Sequence, residues 1–162
     1  MDLGLKNTRV AITGGSKGIG RAIAEGFAAE GANVSMRARS AADVTATVAE
    51  RLGLRGGFRR RLLRRDQGRP DPLPKGLSRQ LMARGIRVNC VSPGNTYFDG
   101  GIWQNIEKNM PDLFQSTLKV NPTGKFGTAQ EVAHGVVFLS SPMASRISGT
   151  NLVIDGALTV AV

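Results

Sequence analysis

The sequence predicts an α/β protein with a parallel sheet, and two observations lead to this prediction. Short β-branched runs alternate with amphipathic helical segments in β-α-β-α order over residues 1–54. The first run stops at a glycine-rich turn that leads directly into a helical segment. With 162 residues and 41% hydrophobic content, the chain is long enough for one domain with one core.

The first predicted strand and helix follow each other across this turn. The strand is the run RVAIT at residues 9–13, which stops at two glycines as a buried strand entering a tight turn does. The helix is predicted from apolar residues that recur at every fourth position, namely Ile19, Ile23 and Phe27. Gly31 then supplies a residue that can end a helix in the left-handed conformation.

A second strand and helix are predicted from the same signals. Residues 32–36 form the next short strand, and the sequence SAAD at residues 40–43 has the spacing of a capping box. An amphipathic stripe continues to Gly53 through Val44, Val48 and Leu52. Because strands and helices alternate, the two strands are expected to lie parallel.

The turn after the first strand reads TGGSKGIG over residues 13–20. Glycines at 14, 18 and 20 let the backbone turn sharply and approach a ligand closely. The helix behind them directs N–H groups and its positive dipole end at that position, which favours a pyrophosphate. A tight turn with a purely structural role is the alternative, but the placement between a strand and a helix favours the binding interpretation.

The chain resembles the short-chain dehydrogenase/reductase family, and in particular its 3-oxoacyl-carrier-protein reductases. The turn at residues 13–20 has the form of the family fingerprint, residues 78–94 resemble its late helix, sixth strand and Pro-Gly turn, and residues 151–156 resemble its last strand. The resemblance covers residues 1–54 and 77–162. It implies a Rossmann-like doubly wound parallel sheet that is incomplete, with strands equivalent to 1, 2, 6 and 7 retained.

The resemblance also implies a nicotinamide dinucleotide as cofactor. NADP is the implied preference, with NAD as an alternative, because Ala38 stands between Arg37 and Arg39 where an acidic residue would bind the ribose of NAD. Ordinary solvated cations are the alternative interpretation of these residues. The usual threonine after the Pro-Gly turn is replaced by Phe98. The cofactor-binding residues are then expected to be Gly14, Ser16, Lys17, Gly18, Ile19, Gly20, Arg39, Pro93, Gly94 and Thr96.

No catalytic residue is assigned, because the family's proton relay has no counterpart here. Family members use a tyrosine, a lysine four residues later, a serine and an asparagine to transfer protons during hydride transfer. The one tyrosine of this chain, Tyr97, follows the Pro-Gly turn and has Gly101 four residues later. Lys75 has Asp71 four residues before it. The family function of carbonyl or alcohol hydride transfer is therefore expected to be impaired.

Three segments are predicted. Residues 1–54 form a nucleotide-binding half, residues 55–76 an arginine- and proline-rich junction unlike the family, and residues 77–162 the half with the Pro-Gly turn, substrate lid and last strand. A complete family member places three strands and two helices where this junction stands, more than its length can hold. The sheet is expected either to close up in the order 2-1-6-7 or to leave unpaired edges.

The junction also holds most of the net charge of +10, with eight basic and two acidic residues between 55 and 75. Nucleic-acid binding through this run is not favoured, because only Phe58 could stack on a base and the prolines at 70, 72 and 74 predict extended backbone. Either an evolved segment or a shifted reading frame could produce such a run.

The C-terminal half contains a predicted lid and one further helix. The lid spans residues 97–120, where Trp103, Met110 and Phe114 either line an apolar substrate pocket or pack the lid onto the core. The sequence TAQE at residues 128–131 is a capping box, and the lone His134 is expected on the helix surface.

The remaining expectations concern compartment and partners. A single cysteine, Cys90, and the lack of a signal or membrane segment at the N-terminus favour a cytoplasmic protein without a membrane partner. The resemblance implies a small-molecule carbonyl or alcohol substrate and a homo-oligomer, although the family's association helix is cut here. No metal is expected. A non-catalytic nucleotide- or partner-binding protein is the alternative function.

Overall fold

The structure is a computed structural model that describes residues 2–38 and 72–160, with the backbone alone at residues 72–74. The strands are β1 (Arg9–Thr13), β2 (Asn33–Arg37), β3 (Cys90–Pro93), β4 (Thr96–Tyr97), β5 (Gly127–Thr128) and β6 (Asn151–Ile154). The α-helices are α1 (Gly18–Ala29), α2 (Pro72–Leu81), α3 (Ile102–Asn109), α4 (Pro111–Lys119) and α5 (Ala129–Ser140). Short 3-10 helices follow at Met82–Arg84 and Pro142–Ala144.

The strands of the described ranges form parallel pairs, which confirms the predicted α/β class. β1 pairs with β2 so that Ile12 lies opposite Met36, and β3 pairs with β6 so that Ser92 lies opposite Val153. β4 and β5 form a short third pair. The strands equivalent to 1, 2, 6 and 7 of a doubly wound sheet are thus present as two separate pairs, and β1 and β3 do not join within these ranges. Of the two expected outcomes, the closed 2-1-6-7 order is not the one observed there.

Strand β1 pairs with β2 along one edge, and the backbone groups of its other edge face away from β2. The carbonyl oxygen of Thr8 accepts from Asn33 N–H at 2.7 Å, and Gly14 N–H donates to the Arg37 carbonyl at 2.6 Å. Because alternate residues of a parallel strand bond to the same neighbour, residues 9, 11 and 13 direct their backbone groups to the opposite edge. All of these residues are exposed. A doubly wound sheet would bury them, so the observed sheet is partial.

The core lies between β1–β2 and the helices α1 and α5. Ala24 of α1 is fully buried, and Phe27, Val34 and Val137 are nearly so, in one cluster that brings the helices together over the first strand pair. A Cβ atom at Gly26 would lie 3.1 Å from Cγ2 of Val137, so the two helices approach closely at a residue without a side chain. Packing between helices, rather than strand pairing, therefore connects the two halves of the described chain.

The ends of α1 and α5 agree with the sequence analysis. Gly31 follows the α1 cap with φ +76, as expected for a left-handed residue at a helix end. Thr128 caps α5: its hydroxyl oxygen accepts from Glu131 N–H at 3.2 Å, and the Glu131 carboxylate accepts from Thr128 N–H at 2.7 Å. The predicted capping box is therefore confirmed.

The prediction of extended backbone at Pro72 and Pro74 was wrong. α2 begins at Pro72. Proline is tolerated in the first turn of a helix because the N–H groups of that turn have no partner within the helix. Pro70 and the predicted helix after residue 40 lie outside the described residues.

Arg87 fastens the segment before β3 to the end of α5. Its guanidinium Nη1 donates to the carbonyl oxygens of Leu139 and, at 3.3 Å, Ile147, while Nη2 donates to the Ser141 carbonyl at 3.1 Å. The last carbonyl oxygens of a helix have no N–H donor within the helix, and the negative end of the helix dipole favours a cation there. This side chain holds the C-terminal half together where strand contacts are few.

Candidate functional site

The predicted glycine-rich turn lies at the carboxyl end of β1 and is fastened to the end of β2. Gly14 has φ +75, a conformation that favours glycine, and its N–H donates to the Arg37 carbonyl at 2.6 Å. Gly15 N–H makes a longer bond of 3.4 Å to the same oxygen. The turn is therefore held in place by the strand pair from which it leaves.

Gly20 allows α1 to approach this turn. A Cβ atom at Gly20 would lie 2.1 Å from the carbonyl oxygen of Gly14 and 2.8 Å from its carbonyl carbon. Both are backbone atoms, so a side chain at position 20 would have to displace either the turn or the helix. The structure of the turn therefore requires glycine at positions 14 and 20, whether or not a ligand binds.

The N-terminus of α1 provides the electrostatics of a binding site for an anion. Lys17 is the N-cap with extended backbone, φ −147 and ψ 160, and its side chain makes no capping bond to the first turn of the helix. The N–H groups at Gly18, Ile19 and Gly20 belong to that first turn, where a helix has no internal acceptors. The dipole of a twelve-residue helix is directed at this point.

The other side chains predicted to bind cofactor are distributed around this turn. Ser16 and Ile19 are half-buried, and Lys17 is exposed. Ile19 packs against the cluster of small residues formed by Ala22, Ala129 and Ala133. Arg39 lies outside the described residues, so the structure does not place one of the cations on which the NADP preference rests. Arg37 lies at the end of β2, opposite Thr13.

The Pro-Gly turn lies at the carboxyl end of β3 and is packed against the end of β6. Gly94 N–H donates to the Ile154 carbonyl at 2.9 Å, and a Cβ atom at Gly94 would lie 2.6 Å from the Cβ of Asp155. The hydroxyl of the buried Thr96 donates to the Gly94 carbonyl at 3.0 Å. Gly94 therefore has a packing reason to be glycine, and Pro93, exposed, precedes it.

Phe98 connects the two turns. A Cβ atom at Gly18 would lie 2.5 Å from Cε2 and 2.7 Å from Cζ of the Phe98 ring, so the ring lies directly on the Gly18 backbone. The ring also packs against the small-residue cluster of α1 and α5. From the sequence alone, Phe98 is recognised only as a replacement for threonine. The contact joins residues 80 positions apart, and no periodic pattern along the chain marks it.

The backbone of this turn fits the diphosphate of a dinucleotide, and one side chain lies in the way. Gly14 supplies the tight turn, Gly20 the close packing of helix on turn, and Gly18 the place where a ligand can approach the main chain. When bound, a nicotinamide dinucleotide supplies a hydride donor or acceptor. Here the space beside Gly18 is filled by the ring of Phe98.

Tyr97 precedes Phe98 in the chain and is not arranged as a general base. Its phenol donates to the Glu107 carboxylate at 2.5 Å, and its ring meets Phe114 edge-on with centroids 6.2 Å apart. The hydrogen bond to Glu107 raises the pKa of Tyr97 above its ordinary value of 10.0, with desolvation and the Glu107 charge acting in the same direction. A catalytic tyrosine at neutral pH needs the opposite shift.

The aromatic residues of the predicted lid pack it onto the core. The ring centroid of Trp103 lies 4.6 Å from that of Phe126, and the Phe114 centroid lies 4.9 Å from the same ring in an edge-on contact. Phe114 and Phe126 are buried, whereas Met110 is 53% exposed. Of the two alternatives for these side chains, packing therefore accounts for Trp103 and Phe114.

A small cavity lies beside this aromatic group at the carboxyl ends of β3 and β6. Its volume is about 240 Å³, and its walls include Asn95, Phe126, Glu131 and Asp155. Pockets for drug-sized ligands usually have about 300–1,000 Å³. Hydrogen bonds from Thr128 lower the pKa of Glu131, and hydrogen bonds from Thr159 lower that of Asp155, so both wall carboxylates are charged at neutral pH.

Three further expectations can be compared with the described ranges. His134 is exposed on α5, as expected for a helix-surface residue. Among residues 2–38 and 72–160, no cluster of His, Cys, Asp and Glu has the composition of a metal site. None of the helices in that part of the chain has both the length and the apolar character that crossing a membrane requires. Cys90 lies in β3 and is half-buried.

Two family models match the chain. One, described as enoyl-(acyl carrier protein) reductase, matches residues 72–159, which is more than half of the chain. The other, described as short chain dehydrogenase, matches residues 8–61. The two matches stand in the order that the sequence analysis expected and leave residues 62–71 between them.

Curated relatives and a solved structure agree with these models. The chain is 42% identical over 84 residues to isoepoxydon dehydrogenase of Penicillium expansum, covering 52% of this chain and 32% of that protein. It is 36% identical over 90 residues to a 3-oxoacyl-[acyl-carrier-protein] reductase of Chlamydia pneumoniae, covering 52% and 32% respectively. The matches thus span about a third of the length of these relatives.

The solved structure is L-sorbose reductase from Gluconobacter frateurii complexed with NADPH and L-sorbose. The TM-score is 0.78 at 20% identity, and the alignment covers 100% of both chains. At this identity the likeness establishes the fold alone. It agrees with the Rossmann-like arrangement of β1, α1, β2, β3, α5 and β6.

Proposed function

The chain belongs to the short-chain dehydrogenase/reductase family, and from this premise we propose that its residues 14–20 bind a nicotinamide dinucleotide while the chain by itself does not catalyse hydride transfer. The observation that carries the proposal is the turn after β1. Gly14 has the positive φ that such a turn requires, Gly20 packs on the Gly14 carbonyl, and the first turn of α1 presents backbone N–H groups.

The proposed loss of catalysis rests on the chain's own residues. Its one tyrosine is Tyr97, with glycine four residues later, and the phenol is bound to Glu107 with a raised pKa. A family oxidoreductase acting on a small-molecule carbonyl or alcohol needs a tyrosine whose pKa is lowered by a nearby lysine. Binding through backbone N–H groups needs neither residue. We therefore propose no catalytic residue within this chain.

We propose NADP rather than NAD as the preferred cofactor. The position after β2 carries Ala38 in place of an acidic residue, with Arg37 before it and Arg39 after it. Lys17, exposed at the N-cap of α1, adds a further cation beside the turn. A 2′-phosphate is stabilised by such cations, whereas the ribose hydroxyls of NAD are best bound by a carboxylate.

The proposal also includes the residues of the Pro-Gly turn, the compartment and the partners of the chain. Pro93, Gly94 and Thr96 are proposed to border the dinucleotide from the Pro-Gly turn, since Phe98 brings this segment to Gly18. The cytoplasm is the proposed compartment, and a complete family homo-oligomer is not expected because the predicted junction interrupts the helix through which family members associate. Nucleic-acid binding through the arginine run stays a disfavoured prediction.

The test is a fluorescence titration of the purified chain with NADPH and NADH, combined with a carbonyl-reduction assay. We expect saturable micromolar binding of NADPH, weaker binding of NADH, and no turnover. In Lys17→Glu the NADPH affinity should fall about tenfold, since one charged contact is removed and repulsion is added. Lys119→Glu, an exposed lysine at the end of α4, is the matched control and should bind like the unmodified chain. Turnover above background would refute the proposed loss of catalysis.

A further inference from the structure

We propose that Phe98 is an affinity-determining residue that covers the glycine-rich turn and must move before a dinucleotide can bind. The inference rests on the proposed function of residues 14–20. Its starting observation is that the Phe98 ring occupies the space that Gly18 leaves beside the main chain, with Cε2 at 2.5 Å, Cζ at 2.7 Å and Cδ2 at 2.9 Å from the position of a Cβ atom.

Three of the four glycines in the turn, Gly14, Gly18 and Gly20, differ in what their missing side chains make room for. Nothing lies within 4 Å of a Cβ position at Gly14, whose positive φ of +75 accounts for the residue. At Gly20 the space is taken by the Gly14 carbonyl, at 2.1 Å. Gly18, with φ +53, also has a conformation that favours glycine, and the space beside it is filled by a side chain from another part of the fold. In a dinucleotide-binding turn this middle glycine is the one that lets a ligand approach the backbone.

The Phe98 ring is held in this place from several sides. Its Cδ2–Cε2 edge also lies 3.0–3.1 Å from a Cβ position at Gly101, so a second glycine gives the ring room. The ring also packs against Ala22 of α1 and against Ala129 and Ala133 of α5. Alanines at these positions leave a shallow apolar recess that an aromatic ring can fill.

The backbone of Phe98 is fixed as well. Its carbonyl accepts from Gly101 N–H at 2.9 Å, closing a turn in which Gly100 has φ +73. The Gln104 side chain bonds both sides of this turn, accepting from Gly100 N–H at 2.8 Å and donating to the Asp99 carboxylate at 3.0 Å. The ring can therefore leave Gly18 by rotating its side chain, without unfolding the start of α3.

A phenyl ring in this position opposes the binding of a diphosphate. The ring offers no donor to an anion, and it occupies the space beside the backbone of Gly18, the first residue of α1. A ligand that needs this space binds only the fraction of molecules in which the ring has turned away, and its apparent affinity is reduced by that fraction. Replacing the ring should restore the affinity of the open turn.

The experiment measures NADPH affinity by fluorescence titration in the full chain and in three variants. Phe98→Thr removes the ring and adds a hydroxyl, and Phe98→Leu keeps an apolar side chain in the alanine recess, so one variant remains informative if the other is unstable. Phe138→Thr is the matched control, because Phe138 is 37% exposed on α5 and is not among the atoms nearest to the Cβ positions of the turn's glycines. Circular dichroism confirms that each variant is folded.

We expect the affinity for NADPH to rise about fivefold or more in both Phe98 variants and to stay unchanged in Phe138→Thr. A second readout does not depend on measuring an affinity: in the NMR spectrum of the chain without ligand, the α-protons of Gly18 should show ring-current shifts and contacts to the Phe98 ring, and adding NADPH should remove both. If the Phe98 variants bind NADPH equally well or more weakly than the unmodified chain, the covering role is wrong and the proposed function stands. If no folded variant binds NADPH, the proposed function fails and the inference fails with it.

Discussion

The α-carbon of Gly20 packs onto the carbonyl oxygen of Gly14, so that a Cβ atom there would lie 2.1 Å from the oxygen. This contact joins the first turn of α1 to the end of β1. It makes position 20 a structural requirement of the strand-turn-helix unit, whatever the turn binds.

Gly20→Ala is expected to destabilise the protein by about 3 kcal/mol, since the added methyl group meets rigid backbone. Gly76→Ala is the control: Gly76 is an exposed position in α2 with nothing within 4 Å of its Cβ position. That substitution should stabilise the protein by roughly 0.5–1 kcal/mol because alanine is the better helix former. Urea unfolding followed by circular dichroism measures both. Equal effects of the two substitutions would contradict the close contact.

Thr128→Ala should cost about 1 kcal/mol by removing the cap of α5. The Thr128 backbone N–H, and after it the Thr128 hydroxyl, lower the pKa of Glu131 in the folded chain below its ordinary value, and Thr128→Ala removes only the contribution of the hydroxyl. A lowered carboxyl pKa contributes stability above the unfolded-state pKa and loses it as pH falls through the folded-state pKa. The difference in unfolding free energy between Thr128→Ala and the unmodified chain should therefore become smaller in acid, as the pH falls below the ordinary pKa range of glutamate.

The control for this prediction is Thr117→Ala. Thr117 is a threonine inside α4 whose hydroxyl donates to the Leu113 carbonyl one turn earlier, at 2.8 Å. Its loss removes no helix cap, so stability should change little and without dependence on acid pH. An unchanged cost of Thr128→Ala from neutral to acid pH would count against the linkage to Glu131.

Arg87→Lys should destabilise the protein by about 2 kcal/mol, because the planar guanidinium bonds the carbonyls of Leu139, Ser141 and Ile147 and an ammonium group reaches fewer of them. Arg84→Lys, at an exposed residue in the neighbouring 3-10 helix, is the matched control and should have little effect. Chemical unfolding measures both variants. A neutral Arg87→Lys would mean that charge alone, rather than the fork of donors, secures the end of α5.

The pKa of Tyr97 can be measured directly by absorbance, because Tyr97 is the one tyrosine of the chain. Its tyrosinate absorbance should appear above the ordinary value of 10.0, since the phenol donates to Glu107 and the deprotonated form would lie beside a carboxylate. In Glu107→Gln the midpoint should move back toward the ordinary value. A midpoint below 10.0 in the unmodified chain would contradict the arrangement and reopen Tyr97 as a base.

The local parts of the fold could be predicted from the sequence. The run at residues 9–13, the glycines of the following turn and the stripe of α1 each depend on neighbours within a few residues. The capping box between Thr128 and Glu131 is equally local, and its spacing alone identified it. These signals also identified the turn that forms the candidate site.

The contacts between distant segments could not be predicted. Phe98 lies on Gly18 because α1 and α5 pack together at small residues, and that packing is decided by side chains from both halves of the chain. The separation of β1–β2 from β3–β6 likewise depends on long-range pairing. The helical start at Pro72 was missed because proline disfavours a helix interior but is accepted in its first turn.

The most direct test of the central claim is the change in backbone amide NMR shifts of the chain during titration with NADPH. If a dinucleotide binds at the N-terminus of α1, the amides of Gly18, Ile19 and Gly20 should shift in a saturable way, together with those next to Phe98. The account is contradicted if the folded chain shows no saturable shifts at residues 14–20, or if the shifts concentrate instead around the cavity beside Phe126.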